Sequence, residues 1–348
     1  MIGRFRVAGQ LLDCRTGLDP HGIVSWMGAM QAQDAGMCKW AVGVRSGLGA
    51  SLADVAGALD RGEIVRTHVM RPTWHLVAAE NIRWMLRLSA ERIKAAARSR
   101  DRALEITEGL YSRTNGLIEA MLAGGKSLTR TEIASELGRA GVEADTSRMN
   151  HFMLRAETEG IVCSGVEKGG KPTYALLEER VAPSADLHRE EALARLAGMY
   201  FRSHSPASLS DFAWWAGLTI TEARRAAGFI EDRLVADRFG DKTLLVDSSC
   251  REASDDGKAI LLPAFDEYII SYKNRSFVLD PLHYNLAFSA QGVFFPLILH
   301  HGAVIGRWAR KVSKRGIEAE PAYFANGRVI DSELFGAAAQ RYRLFCSK

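Results

Sequence analysis

The sequence predicts an α+β protein in which three similar units precede a smaller, β-rich module. Three observations lead to this prediction. The chain has 348 residues, more than one small core holds, since domains usually contain about 100–200 residues. A pattern of helices followed by a two-stranded hairpin occurs three times. After about Ser254 that pattern gives way to short strand-like segments broken by Pro and Gly.

The first unit carries more elements than the other two. Ser51 is a candidate N-cap for a short helix, and Pro72 lies in a turn between two alternating segments, where a missing N–H costs little. The final helix of the unit is long and amphipathic, with a cationic outer face. Helices are predicted at residues 4–13, 21–30, 53–59 and 79–103, and strands at residues 63–70 and 73–78.

The middle unit shows the pattern most clearly. Thr129 and Glu132 have the spacing of a capping box, which marks a helix start. Ser147 is predicted to cap a later helix, and a polar, Gly-rich segment containing Lys168 and Lys171 joins two strands. Helices followed by a hairpin with a basic tip are typical of a winged helix. Helices are predicted at residues 116–122, 130–139 and 148–159, and strands at residues 161–164 and 173–177.

The third unit repeats this order, and the C-terminal module departs from it. Thr219 and Glu222 again have capping-box spacing, and His301-Gly302 is a candidate for a tight turn between two strands. Helices are predicted at residues 190–202, 211–216 and 221–232, and strands at residues 234–237, 242–246, 259–265, 292–300 and 303–309. The predicted domains are residues 1–112, 113–185 and 186–253 for the three units and 254–348 for the module.

Composition excludes several protein classes. A hydrophobic content of 47% and a charged content of 25% are those of a globular protein. No apolar run approaches the ~20 residues of a membrane helix, and the N-terminus lacks the apolar stretch of a signal peptide. The five cysteines have no metal-binding spacing, which predicts reduced thiols in a cytoplasmic protein.

The charge distribution indicates more than the net charge of +4. Residues 61–113 contain eleven Lys and Arg against six Asp and Glu, and residues 307–315 contain five cations and no acid. Either cluster alone would be read as a solvated surface. Two clusters beside helix-turn-helix signals favour contacts with phosphates, with Arg307, Arg310 and Lys311 as candidates in the second cluster.

Several segments together resemble the AlkZ/YcaQ-type winged-helix DNA glycosylases. The most specific are residues 66–75, which contain Arg-Thr-His-x-x-Arg-Pro-Thr-Trp-His, and residues 261–268, which contain Leu-Leu-Pro-x-Phe-Asp-Glu-Tyr. The resemblance runs from near residue 4 to near residue 310. It implies a C-shaped arrangement of tandem winged helices around duplex DNA. It also implies removal of bulky alkylated purines, including interstrand cross-links, by a Gln-x-Gln motif, here Gln31-Ala32-Gln33.

Two glutamines can support this chemistry only for an activated substrate. An N7-alkylated guanine leaves easily because it carries positive charge, so the enzyme must mainly position a water and face the developing sugar cation. Amides are not bases, but Gln31 and Gln33 can accept water hydrogens and orient carbonyl dipoles. Their side chains share a side only in an extended segment, so the preceding helix must end before Gln31. Asp34 could supply a carboxylate for the site, but in an extended segment its side chain would point away from those of the two glutamines. Without the resemblance, the two glutamines would be interpreted as capping the end of a helix by hydrogen bonds to its backbone.

The segment of residues 66–75 supplies the other candidate DNA ligands. Arg66 and Arg71 are suited to phosphate or groove contacts. His68 and His75 are candidates for the same role, and the alternative is that they complete the packing of the hairpin. Asp266 and Glu267 form a close carboxylate pair that we expect to be structural, tying the C-terminal module to a basic helix.

The sequence predicts no cofactor and no metal, because it contains no phosphate loop, nucleotide fingerprint or ligand cluster. The leading hypothesis is a monofunctional DNA glycosylase, acting on double-stranded DNA as a monomer in the cytoplasm and associated with the nucleoid when bound. The alternative is a non-enzymatic winged-helix DNA-binding protein, either a transcriptional regulator or an architectural factor. A protein-interaction scaffold is a third reading.

Overall fold

A computed structural model describes residues 2–14, 17–47, 49–184, 186–254, 257–313, 316–325 and 328–347. Helices and strands both contribute to it, as the predicted α+β class requires. The chain divides into two compact units. From here on, "first unit" and "second unit" mean these two, which differ from the three units predicted from the sequence. The first contains Met1–Ala56 and Leu193–Lys348, and the second contains Gly57–Ala192. These units are coarser than the four predicted domains, whose boundaries stay a prediction.

The N-terminal part of the first unit contains short helices. The second of them ends at Met27 and is capped by Gly28, which has a φ of +80°, a conformation that glycine adopts without strain. A Cβ atom at Gly28 would lie 3.0 Å from the side chain of Met199, so the chain turns there within a tightly packed space. The elements are α1 (Ile2–Gly9), α2 (Pro20–Met27), β1 (Met30–Gln31), α3 (Met37–Gly43) and α4 (Leu52–Asp60), of which α4 crosses into the second unit.

The second unit begins with a hairpin and a long helix and continues with three helices and a small sheet. Its elements are β2 (Ile64–His68), β3 (Trp74–Ala78), α5 (Ala79–Ala103), α6 (Glu108–Leu122), β4 (Leu128–Thr129), α7 (Arg130–Arg139), α8 (Thr146–Thr158), β5 (Val162–Ser164), β6 (Thr173–Leu176) and α9 (Leu177–Arg180). The strands β4, β6 and β5 form an antiparallel sheet in that order. Ile118, Ile133 and Phe152, one from each of α6, α7 and α8, are fully buried in one core.

The C-terminal part of the first unit holds the remaining elements. They are α10 (Arg189–His204), α11 (Leu209–Ala216), α12 (Ile220–Gly228), β7 (Leu234–Phe239), β8 (Lys242–Asp247), β9 (Ala259–Leu262), α13 (Glu267–Ile270), α14 (Tyr284–Ala287), β10 (Leu297–His300), β11 (Ala303–Ser313), β12 (Gly316–Tyr323) and α15 (Ser332–Ser347), with α10 beginning in the second unit. Short 3₁₀ turns occur at Glu231–Arg233 and Pro281–His283.

An antiparallel sheet of four strands forms the C-terminal module, in the order β12, β11, β10, β9. The helix α15 packs against it, where the ring of Tyr342 lies 4.9 Å from that of Trp308 and 5.0 Å from that of Trp40 in α3. The indole nitrogens of both tryptophans donate to backbone carbonyls of β9, at Leu262 and Leu261. The N-terminal helices and the C-terminal module therefore share one core.

Several predicted elements agree with the structure and others needed correction. The helices α5 and α7 have the predicted bounds, and Thr129 caps α7 through a capping box. Ser147 does not cap α8. Asp145 does, because its carboxylate accepts the amide hydrogens of Ser147 and Arg148. The strands β9 and β10 are shorter than predicted, and the sequence analysis missed β12 and α15. In the described ranges, no helix is long and apolar enough to cross a membrane.

Candidate functional site

The Gln31-Ala32-Gln33 segment lies between two helices and is not part of either. The helix α2 ends at Met27 and Gln31 is in the extended strand β1, whereas Gln33 lies in a bend. The extended backbone that would turn both amides to the same side is therefore present at Gln31 and not at Gln33. Gln31 is 4% exposed and Ala32 is fully buried, whereas Gln33 is exposed where the chain bends toward α3. The segment is thus anchored in the interior at Gln31 and reaches the surface at Gln33.

Asp34 has a structural role at the start of α3. Its Oδ1 atom accepts the amide hydrogens of Gly36 at 2.9 Å and Met37 at 2.8 Å, as carboxylates do near helix N-termini. These bonds hold the carboxylate against the first turn of the helix. Asp34 therefore stabilises the bend that follows Gln33.

A buried carboxylate contacts the backbone of Gln31. The Oε1 atom of Glu267 accepts the amide hydrogen of Gln31 at 2.5 Å. Its Oε2 atom accepts the indole N–H of Trp215 at 3.1 Å and the hydroxyl of Ser271. Glu267 is 1% exposed. Sequence reasoning expected the Asp266-Glu267 pair to be structural but missed its contact with Gln31, because 236 residues separate the two partners.

His204 lies against the same carboxylate. Its Nε2 atom is 3.7 Å from Oε2 of Glu267, and its ring stacks on Tyr200 with centroids 4.8 Å apart. Burial lowers the pKa of His204, and the nearby carboxylate of Glu267 opposes that effect. Desolvation is the larger influence, so the imidazole is neutral at pH 7. No signal in the sequence singled out His204.

Asp266 is held differently from its neighbour. It pairs with the buried side chain of Arg45 and also accepts the amide hydrogen of Tyr268 at 2.9 Å, at the start of α13. Arg45 lies two residues after the end of α3 and is not on a basic helix. The prediction that this pair anchors the C-terminal module is therefore confirmed in its structural part, and the basic-helix partner was wrong.

The predicted DNA ligands of residues 66–75 lie in the second unit and differ in exposure. The guanidinium of half-buried Arg66 lies over the ring of Trp74 at 4.5 Å, and Arg71 is also half-buried. His68 is buried with its Nδ1 atom against Glu157, and His75 is buried with its Nδ1 atom 2.9 Å from the carbonyl of Thr73. The two arginines are thus more accessible than the two histidines.

The basic hairpin tip of the second unit is at the surface. Lys168 and Lys171 are exposed, and a pair of backbone hydrogen bonds between them closes the turn. The Nζ atom of Lys168 is 3.3 Å from Glu132 at the start of α7. This cation is therefore partly balanced, while Lys171 extends the positive surface.

The second cationic cluster lies on β11 of the first unit. Arg310 and Lys311 are exposed, and Arg307 lies over the ring of Phe295 at 4.8 Å. The neighbouring strand β12 brings Glu318 opposite Lys311, which also forms an ion pair with Glu320. The net positive charge of this strand pair is thus smaller than the sequence of β11 alone suggests. Lys314 and Arg315 of the same cluster lie outside the described residues.

In the part of the chain that the structure describes, no group of three or more His, Cys, Asp or Glu residues is arranged to hold a metal ion.

Comparison with known proteins gives consistent matches over nearly the whole chain. The model of the DNA glycosylase AlkZ-like family matches residues 24–345. An interstrand DNA cross-link repair glycosylase of Streptomyces sahachiroi is 23% identical over 326 residues, which are 87% of this chain and 85% of that protein. The solved structure of Streptomyces sahachiroi DNA glycosylase AlkZ has a TM-score of 0.80 at 20% identity, covering 99% of this chain and 95% of that chain. The structural match shows a shared fold.

Proposed function

The chain belongs to the AlkZ-like family of DNA glycosylases, and we propose that it hydrolyses the N-glycosidic bond of bulky or cationic alkylated purines in duplex DNA. N7-alkylguanine is the simplest such lesion. The name of the Streptomyces relative, an interstrand cross-link repair glycosylase, supports including cross-linked purines. The observation that carries the proposal is that both glutamines lie outside any helix, with Gln31 buried in strand β1 and Gln33 exposed in the bend that follows.

The chemistry follows from what amides can do. The departing purine is already cationic, so the reaction needs little protonation of the leaving group, in contrast to sugar hydrolysis by two carboxylates. In this proposal, exposed Gln33 accepts hydrogens of the attacking water. Gln31, at the buried edge of the same segment, turns its carbonyl dipole toward the positive charge that develops on the sugar. The electron pair of the broken C–N bond stays with the purine, which leaves as a neutral base, and the water oxygen bonds to the sugar carbon. Neither glutamine acts as a general base, so the proton that the water loses passes to solvent.

DNA binding is proposed to use tandem winged-helix units. The order of helices and strands from α6 to β6 supports this for the second unit, and the hairpin at Lys168 and Lys171 would be its wing. We assign phosphate contacts to these lysines, to Arg66 and Arg71, and to Arg307, Arg310 and Lys311. His68 and His75 are left to packing because they are buried. The C-shaped arrangement, a monomeric state and association with the nucleoid in the cytoplasm remain parts of the proposal.

The test is release of a damaged base. The protein is incubated with duplex DNA that contains a single N7-methylguanine, and free base and abasic sites are measured under single-turnover conditions. The wild type is expected to release the base, and Gln31→Ala and Gln33→Ala are expected to lose most of that activity. Gln340→Ala, on the exposed face of α15, is the control and should retain it.

Two outcomes would contradict the proposal. One is no release above the spontaneous rate, combined with a footprint on a defined sequence of undamaged DNA, which would favour a transcriptional regulator or architectural factor. The other is full release by Gln31→Ala and Gln33→Ala, which would place the chemistry elsewhere in the protein.

A further inference from the structure

The backbone turns sharply just before Glu267. Phe265 has a φ of +58°, a left-handed conformation that is uncommon for a bulky residue, and its ring packs against Phe294 at 6.2 Å. Asp266 and Glu267 follow directly and are 4% and 1% exposed. Strained backbone persists where the surrounding packing imposes it. Here that packing holds two adjacent carboxylates in the interior of the first unit.

The donors around Glu267 require a carboxylate. The amide of Gln31 meets Oε1 and the indole N–H of Trp215 meets Oε2. Both groups can only donate hydrogen bonds. A side chain with one acceptor oxygen could satisfy one of them but would turn an N–H toward the other. The hydroxyl of Ser271, by contrast, can rotate to donate or accept.

We propose that Glu267 is a positioning residue for the glycosylase reaction. By accepting the amide hydrogen of Gln31, it fixes strand β1 and, with it, the point from which the chain bends to Gln33. An amide cannot compensate for a poor position by changing its protonation state, so this site depends on geometry alone. A catalytic group is effective only when it is held by a rigid supporting shell. The inference rests on the proposed function of the two glutamines.

Glu267→Gln tests this role directly. The carboxamide can accept from Gln31 or from Trp215, but not from both. We expect the single-turnover rate constant for base release to fall by about 10- to 100-fold, the loss typical of a small misplacement of catalytic groups. The Kd for the lesion duplex should change by less than about 2-fold, since an interaction that matters only in the transition state affects rate and not binding.

A second substitution should restore activity if the geometry is as described. Trp215→Phe removes the competing indole N–H, so in Glu267→Gln/Trp215→Phe the carboxamide oxygen can face Gln31. We expect the double variant to recover at least about half of the loss in the logarithm of the rate constant that Glu267→Gln causes. Such coupling is found between residues in contact and not between independent ones. An unchanged or additive loss in the double variant would overturn the positioning role.

A matched control separates positioning from general damage to the fold. Asp211 is also 1% exposed and accepts hydrogen bonds from Ser208, Lys273 and Asn274, but none from Gln31. Asp211→Asn should lower the stability of the same unit while keeping the rate constant within about 3-fold of wild type, because stability loss alone does not alter the folded site. A loss of rate equal to that of Glu267→Gln would contradict the proposal.

Hydrogen exchange gives a readout besides activity. The amide of Gln31 should exchange at least about 10 times faster in Glu267→Gln than in the wild type, as expected when a buried amide loses its acceptor. If Glu267→Gln fails to fold, Glu267→Asp replaces it, since it keeps the charge but withdraws the oxygens by one methylene and should show the same loss of rate.

The two proposals fail in different ways. If the wild type releases the base and Gln31→Ala does not, while Glu267→Gln releases it at the wild-type rate, the positioning role is wrong and the proposed function stands. If the wild type releases no base, the proposed function is wrong and the positioning role fails with it.

Discussion

Arg45 and Asp266 form a bidentate ion pair in the interior of the first unit. The NH1 atom of Arg45 is 2.8 Å from Oδ2 of Asp266 and its NH2 atom is 2.9 Å from Oδ1, with side chains 0% and 2% exposed. Arg45 follows the Gln31 segment and α3, and Asp266 precedes Glu267. The ion pair therefore joins the same two stretches of chain as the hydrogen bond between Glu267 and Gln31.

Breaking this pair is expected to destabilise the protein strongly. In Asp266→Asn, Arg45 keeps its buried charge but loses the opposite one, which typically costs about 3–5 kcal/mol. Urea denaturation followed by circular dichroism measures the free energy of unfolding. The control is Glu136→Gln, which breaks an exposed ion pair with Arg139 on α7 and should cost less than about 1 kcal/mol. Equal losses in the two variants would show that the buried pair contributes no more than a surface pair.

His68 is expected to stabilise the second unit without contributing to DNA affinity. Glu157 is 1% exposed and holds Nδ1 of His68 and, at 3.2 Å, the indole N–H of Trp74. Glu157→Gln should lower the free energy of unfolding by about 1–3 kcal/mol, because one donor loses its acceptor in a buried place. Fluorescence anisotropy with a labelled duplex, well below the unfolding temperature, should give an unchanged Kd. The variant His68→Gln tests the histidine itself. If this variant is fully folded but binds the duplex with a weaker Kd, the sequence-based assignment of His68 to DNA is supported.

Local signals in the sequence predicted local structure well. The capping box of Thr129 and Glu132 located the start of α7, and the His301-Gly302 turn has φ values of +48° and +73°, as a tight hairpin turn requires. Ser147 was wrong because α8 begins one residue earlier, at Thr146, with Asp145 as its cap, so Ser147 already lies in the first turn and donates its amide hydrogen to that carboxylate. The helix α6 begins at Glu108 with Thr107 as its cap, so the prediction at residues 116–122 found only its second half.

Long-range relationships could not be read from the sequence. The helix α15 is held in place by Tyr342, which packs on Trp308 and Trp40. No local sequence pattern predicts contacts between residues this far apart in the chain. The role of Glu267 depends on a hydrogen bond to a residue 236 positions away. The family resemblance pointed to Gln31 and Gln33, and the expectation of extended backbone holds at Gln31 but not at Gln33, where the chain bends. Which carboxylate supports them became visible only in the fold.

The basic hairpin tip of the second unit is expected to contact phosphates. Lys171→Gln should weaken binding to undamaged and damaged duplexes alike, and should reduce the slope of log K against log salt by about 0.9 for each phosphate that the variant no longer neutralises. Lys168→Gln tests the neighbouring position, although Glu132 already balances part of that charge. Arg343→Gln, on an exposed position of α15, serves as the control for a general loss of positive charge. A slope that falls equally in all three variants would remove the hairpin tip from the interface.

His204 should make the stability of the protein depend on pH in mildly acidic solution. Burial lowers the pKa of His204 in the folded protein below its ordinary value of 6.5. Above about pH 6.5 the imidazole is neutral in both the folded and the unfolded chain, so this residue adds no pH dependence. As the pH falls below that value, the unfolded chain binds a proton that the folded chain does not, and stability is lost until the lowered pKa is reached.

The expected slope is up to about 1.4 kcal/mol per pH unit for one proton. It is measured from urea denaturation between pH 7.5 and pH 5 (roughly the range over which histidine titrates in unfolded chains), comparing the wild type with His204→Gln. The carboxylate of Glu267 faces the imidazole and other groups titrate nearby, so the difference between the two curves isolates the histidine. A difference that stays constant over this range would mean that His204 accepts a proton in the folded protein as readily as in the unfolded chain. The carboxylate of Glu267 would then fully offset the unfavourable effect of burial on the charged imidazole. At acidic pH, the side chain that holds Gln31 would form an ion pair with protonated His204.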